Sequence, residues 1–212
     1  MPVSYSFSNS VTVDIGYVGG NGSIFNGPVN ITAGNINVNS STFHKKALFN
    51  KTSNTTNSFN ANTFNDTLDI TNSSTAGALF ISSNGNNFFN EDIYLSNTGS
   101  AGIYFGFSGN TATLAAGKKI YIGSSGFTAG NLAFYKFTQS GSTAQSITTT
   151  GTSTVTFGSA NATVATFNGA ITVSAPNLIF NGSVFNSTLT ATKTSSSTNN
   201  STGEIPLMGM LL

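Results

Sequence analysis

The chain returns again and again to one phrase: Phe-Asn, two polar or small residues, then alternating apolar and polar positions. It reads FNGPVNIT from Phe25, FNDTLDIT from Phe64, FNEDIYLS from Phe89, FNGAITVS from Phe167 and FNSTLTAT from Phe185. A strand-plus-turn unit this short cannot bury its apolar side alone. Recurring units of this kind stack, cover one another, and leave function to their outer faces. The clearest internal repeat sets Phe64–Gly85 against Phe89–Asn110. In that alignment Leu68 and Ile70 fall on Ile93 and Leu95, Asn72 on Asn97, Gly77 on Gly102, and Phe80 on Phe105. A third unit follows with Ile120-Tyr121-Ile122, Thr128-Ala129-Gly130, Leu132 and Phe134.

Within each unit the apolar period is two, as at Leu68/Ile70, Ile93/Leu95, Ile103/Phe105, Ile120/Ile122, Val155/Phe157, Ile171/Val173 and Leu178/Phe180. Period two sends alternate side chains to opposite faces of a strand. Gly, Asn and Ser clusters separate the strands, as turns require. The best helix candidate, at Thr113–Lys118, is short and broken by Gly117. The fold predicted is therefore all-β: a parallel β-helix (β-solenoid) with coils of about 20–28 residues. An antiparallel β-sandwich is the alternative. Residues 1–190 read as a single β-solenoid domain. Residues 191–212 read as a low-complexity segment (Ala191–Gly203) and an apolar tail (Glu204–Leu212) that leaves the repeat. The tail fits a reading-frame remnant, a cap, or a docking segment.

Composition narrows the function classes. Charged residues make up 6% of the chain, against about 25% in ordinary domains. Arg is absent and the formal net charge is +1, so no basic footprint for nucleic acid or an anionic membrane exists. No apolar run is long enough for a membrane-spanning helix. With 38% hydrophobic residues, 18 Phe among them, the chain can nonetheless form a core. Solubility then rests on Asn, Ser, Thr and Gly, which are poor helix formers. Cys is absent, so rigidity must come from backbone ladders and packing. The N-terminal stretch has no basic region followed by an apolar one, and the chain reads as a mature piece or an excised segment. Asn-x-Ser/Thr sequons at Asn21, Asn30, Asn39 and Asn65 arise readily by chance in such a composition.

At FNGPVNIT, FNEDIYLS and TATLAAGKKIYIG the chain resembles segments of very large, repeat-rich surface proteins secreted by gliding-type bacteria, which are similar to haemagglutinin-like β-helix adhesins. The resemblance covers most of residues 23–191. It implies an extracellular or cell-surface location, a solenoid stalk and a role in adhesion or surface structure. It offers no catalytic residues.

Groups for catalysis are few. His44 is the single His, in Phe43-His44-Lys45-Lys46, the one local basic cluster; a general base would need an orienting partner, and it reads as an exposed turn residue. No Gly-x-Ser-x-Gly elbow, His/Cys metal spacing, calcium loop or phosphate loop is present. Catalytic residues, metal ligands and cofactors are therefore assigned as none. Asp66 aligns with Glu91, beside Asp92; these carboxylates read first as two solvated turns, and alternatively as one corner cluster of the kind polysaccharide-active β-helix enzymes use. Thr148, Thr150, Thr152, Thr154 and Thr156 fall on one face, a flat Thr array of the kind an ice-binding surface needs, but one strand of Thr is not a two-dimensional array and the neighbouring units do not repeat it. The most promising outward feature is Tyr94 and Tyr121, at equivalent positions, with Asp69 at the matching place one unit earlier. Aromatic rings beside Asp and Asn suit carbohydrate. The leading expectation is a non-enzymatic structural or adhesive surface protein that forms homo-oligomers by end-to-end stacking. A carbohydrate-binding module using Tyr94, Tyr121 and Asp69, with polysaccharide as partner, and a β-helix polysaccharide-active enzyme are the alternatives.

Overall fold

The computed structural model describes residues 6–7, 11–159 and 164–196. Among them the chain is all-β with no helix, and every strand pairing is parallel. The antiparallel sandwich does not occur. Successive strands turn a corner onto a different sheet instead of folding back, and each pairs with a strand one round away in the chain. The stretch Asn87–Phe105 is representative. Asn87–Phe89 lies in the first sheet, Ile93–Asn97 in the second and Ile103–Phe105 in the third, and the cycle then restarts at Ala112–Leu114.

The first sheet is nine-stranded. Its register pairs Phe25 with Phe43, Phe43 with Phe64, Phe64 with Phe89, Phe89 with Leu114, and Leu114 with Gln139. The rounds lengthen from Phe25 to Phe89 and then hold constant to Gln139. The second and third sheets are two wings of a twelve-stranded array. Val29–Asn39 joins them: Val29–Ala33 pairs with Ala47–Lys51, and Val38–Asn39 pairs with Phe59–Asn60. A three-stranded sheet of Gln145–Thr148, Ile171–Ala175 and Leu189–Lys193 takes over from the second wing. That last strand runs into the segment read from sequence as low complexity. The Glu204–Leu212 tail lies outside the described residues.

The core lies between the sheets and is a set of side-chain ladders. Phe25, Phe43, Phe64 and Phe89 stack with centroids 4.7, 4.8 and 5.4 Å apart, close to the spacing of about 4.8 Å between paired strands. Phe105, Phe134, Phe157 and Phe180 form a second ladder, with centroids 5.6, 5.6 and 5.3 Å apart. The Asn after each Phe ladders outside the core: Asn90 Nδ2 donates to Asn65 Oδ1 at 2.7 Å, and Asn186 Nδ2 to Asn168 Oδ1 at 2.7 Å. His44 occupies that same rung, its Nδ1 lying 3.2 Å from Asn65 Nδ2. Buried Asn side chains hold the corners. Asn87 Nδ2 donates to the Phe59 carbonyl at 2.7 Å, and Asn62 Nδ2 to the Val38 carbonyl at 2.8 Å. Gly130 (φ 70°) ends one Thr-Ala-Gly triplet; a Cβ there would run into the Ala101 carbonyl of the previous round.

Three sequence expectations are corrected. Phe80 does not match Phe105. The corner Ser73–Ala78 is one residue longer than Thr98–Gly102, so Phe80 pairs with Tyr104 on the outside and Ile81 pairs with Phe105 inside. A one-residue slip reverses the faces of a strand. The Thr series is not one face: Thr148 ends one strand, residues 149–153 turn, and Thr154–Gly158 belongs to another sheet, where Thr156 is only 4% exposed. As the break at Gly117 implies, the stretch from Thr113 is no helix but strand followed by turn: Thr113 and Leu114 pair with Thr138 and Gln139. The shortest separations between paired rounds also fall below the predicted range: a sequence separation of 18 links the laddered Asn21 and Asn39, and again Asn168 and Asn186.

One corner holds a charge. Lys51, paired with Asn72, is 1% exposed, and its ammonium donates to the carbonyls of Ser53 (2.5 Å) and Gly77 (3.0 Å). Burial lowers its pKa to about 8. The folded chain therefore releases this proton before the unfolded chain does. Stability is expected to rise as pH climbs from about 8 towards the ordinary lysine value of 10.5. Urea midpoints across this range should show that rise in the parent and lose it in Lys51→Met. Parallel curves for the two proteins would contradict the assignment.

Candidate functional site

Tyr94 and Tyr121 stand on the outer side of the second sheet because the residues flanking each of them point inward: Ile93, Leu95 and Ile120 are at most 1% exposed. The register is continuous: Leu48, Asp69, Tyr94 and Tyr121 occupy successive strands. The three residues singled out from sequence are thus brought together. The two rings stack with centroids 4.9 Å apart and planes 17° apart. Stacking has a chemical consequence: the inner faces cover each other, and only the two outer faces can receive a ligand ring. The pair is a ridge, not a flat platform.

A groove lies on either side of the ridge. On the Tyr121 side, Ala144, Ser146 and Thr148 leave room beside the ring, and the groove measures about 330 Å³. On the Tyr94 side a groove of about 390 Å³ is lined by Leu48, Asp69, Thr71, Ser96 and Gly123 among others. Asp69 is not a free carboxylate. Lys46 Nζ lies 3.1 Å from its Oδ2, across one round, so this groove presents a neutral ion pair. Tyr121 is 37% exposed, among the more exposed large side chains of the chain. Each groove therefore offers one open aromatic face, beside hydroxyls and Lys119 on the Tyr121 side and beside hydroxyls and an ion pair on the Tyr94 side, which is suited to the C–H face and hydroxyls of a sugar ring.

The acidic corner has other partners. Glu91 binds Lys118 Nζ through both oxygens, at 2.6 and 2.7 Å. That contact raises the Lys118 pKa. Asp92 Oδ1 accepts the Lys119 amide at 2.8 Å, and Asp66 Oδ1 accepts the Thr67 amide at 2.6 Å. Asp66 closes its own turn, Glu91 neutralises Lys118, and Asp92 ties its turn to the backbone of the next round. Among the described residues no group of three or more His, Cys, Asp or Glu side chains is placed to hold a metal ion.

Sequence reading missed a larger outer aromatic group on the third sheet. Phe80, Tyr104, Phe107 and Tyr135 pack there with neighbouring centroids 5.0 to 6.2 Å apart. The signal that could have found it is the corner length that decides which of Phe80 and Ile81 faces inward. No family model, no curated protein and no solved structure matches this chain.

Proposed function

We propose that the chain is a β-solenoid serving as a non-enzymatic structural and adhesive element at the cell surface. The observation that carries this reading is that strand after strand pairs in parallel with the strand one round earlier, within the same few sheets. Such an architecture stores its stability in neighbour-to-neighbour contacts and lengthens by adding rounds. Among the described residues the sheets end on Val184–Phe185 and Leu189–Lys193, each paired on one side only. Unpaired parallel edges accept a further strand, and a head-to-tail contact that does not close produces a filament. Low charge removes the repulsion that would oppose stacking. Surface placement is supported by the Asn/Ser/Thr-rich exterior and by the resemblance noted above. Glu91 and Asp92, which an enzymatic reading requires, are engaged with Lys118 and the Lys119 amide. The test is growth of the assembly with protein concentration, seen by electron microscopy.

A second reading rests on the Tyr94–Tyr121 ridge: binding of a polysaccharide through its two open ring faces. Retention on insoluble polysaccharides is expected to fall about tenfold in Tyr121→Ala and in Tyr94→Ala, with unchanged urea midpoints. Retention equal to that of the parent in both variants would remove this reading and leave the structural one intact.

A further inference from the structure

We propose that the groove beside the outer aromatic quartet of the third sheet is a separate binding site for a neutral sugar ring. Phe80 and Tyr104 face each other in register on the outer surface, their centroids 5.2 Å apart. Tyr135 follows one round on, 5.6 Å from Tyr104. Phe107 reaches the same surface from the corner after Ile103–Phe105 and lies 5.0 Å from Phe80 and 6.2 Å from Tyr135. That corner has left-handed backbone at Gly106 (φ 73°), Ser108 (φ 50°) and Gly109 (φ 89°). The chain accepts a conformation that a residue such as Ser108 rarely adopts, and with it lays an aromatic ring on the outside of the sheet. Phe107 remains 38% exposed.

The quartet borders a groove of about 300 Å³ that includes Phe107, Asn131, Tyr135, Thr156, Ile179 and Asn181 in its lining. That volume stands at the small end of ligand pockets, about 300–1,000 Å³. The lining selects the chemistry. The Phe107 and Tyr135 rings are inclined by 40° to each other and make an apolar wall. Asn131 is held in orientation by the Thr156 hydroxyl, which donates to its Oδ1 at 3.0 Å. Burial raises the pKa of both Tyr104 and Tyr135, which keeps the phenols neutral. Among the described residues no Asp, Glu, Lys or His lines the groove. An anionic or cationic ligand would meet no counter-charge from that lining. An apolar wall next to an oriented amide and hydroxyl-bearing side chains complements a ring with C–H groups on its face and hydroxyls at its edge. This site lies on a different sheet from Tyr94 and Tyr121 and does not depend on them.

The chain has no Trp and six Tyr, so intrinsic tyrosine fluorescence, to which Tyr104 and Tyr135 contribute, follows binding, and the variants below assign it to this site. The purified chain is titrated with cellohexaose, laminarihexaose, mannohexaose and chitohexaose, and with oligogalacturonate as the charged control. The expected result is saturable binding of at least one neutral hexasaccharide and none of the control. Tyr135→Ala should weaken that binding about tenfold, whereas Tyr135→Phe, which keeps the ring, should stay within about threefold. Ile179→Arg, which fills the groove while leaving the four aromatic residues unchanged, should abolish it and provides the test if Tyr135→Ala does not fold. Binding unchanged in Tyr121→Ala separates this site from the Tyr94–Tyr121 ridge. Absence of binding by every neutral hexasaccharide overturns the proposal, as does binding unaffected by both Tyr135→Ala and Ile179→Arg.

Discussion

Replacing Phe134 by alanine is expected to remove about 3–5 kcal/mol of folding stability, the largest effect of any single substitution considered. Phe134 is fully buried. It stacks on Phe105 and Phe157 in neighbouring rounds, both at 5.6 Å, and meets Phe137 and Phe167 edge-on at 5.1 and 5.5 Å. It therefore ties the second Phe ladder to the first sheet. In a stack of rounds each layer is held by the layers on either side, so the cavity weakens two interfaces at once. The control is Phe88→Ala, at an outward position that is 46% exposed, which should change stability by no more than about 0.5 kcal/mol. Urea unfolding followed by far-UV circular dichroism measures both. Equal losses at Phe134 and Phe88 would mean that the inward and outward sets are wrongly assigned.

Asn97→Leu is the second large effect, with an expected loss of about 3 kcal/mol or more, since a buried polar group left without its partner costs about 1–3 kcal/mol. The Asn97 carboxamide sits at a corner, fully buried. Its Nδ2 donates to the carbonyls of Gly99 (2.8 Å), Ala101 (2.8 Å) and Ala129 (2.6 Å). Its Oδ1 accepts Asn72 Nδ2 at 2.7 Å. One side chain thus satisfies backbone groups in its own round and the next, where a bent chain cannot supply ladder partners. Leucine has a similar volume but none of these contacts. Asn90→Ala, in the exposed ladder, should cost less than about 1 kcal/mol. Hydrogen exchange across residues 98–102 and 128–130 should accelerate in Asn97→Leu and stay unchanged in Asn90→Ala. A fully stable Asn97→Leu would show that packing alone shapes the corners.

Much of this architecture was legible in the sequence because its signals are local. Alternation at Leu68/Ile70 and Ile93/Leu95 fixes which side chains face inward, and the Phe-Asn phrase marks where each round restarts. The rounds that begin at Phe43, Leu114 and Gln139 lack the phrase. There His44 replaces Asn, and Leu114 and Gln139 replace Phe, yet the register is kept. Gln139 is tolerated in the apolar ladder because its side chain meets backbone groups: Nε2 donates to the Thr143 carbonyl, and Oε1 accepts the Gly169 amide at 3.2 Å. Corner lengths were not legible. Nothing local says that Ser73–Ala78 needs one residue more than Thr98–Gly102, and that residue moves Phe80 from the core to the outer quartet. The Tyr94/Tyr121/Asp69 alignment was readable because the corner between Phe64 and Asp69 matches in length the corner between Phe89 and Tyr94. The Lys46 partner of Asp69 was not, since that ion pair joins side chains on different rounds.

The most direct test of the account is electron microscopy of the purified chain over a concentration series, with fibre diffraction of any aligned material. A β-solenoid that stacks end to end should give uniform filaments that lengthen with concentration, with a reflection near about 4.8 Å along the filament axis. Discrete particles of fixed length at every concentration would contradict the building-block role. Filaments whose strand spacing runs across the axis would contradict the solenoid itself.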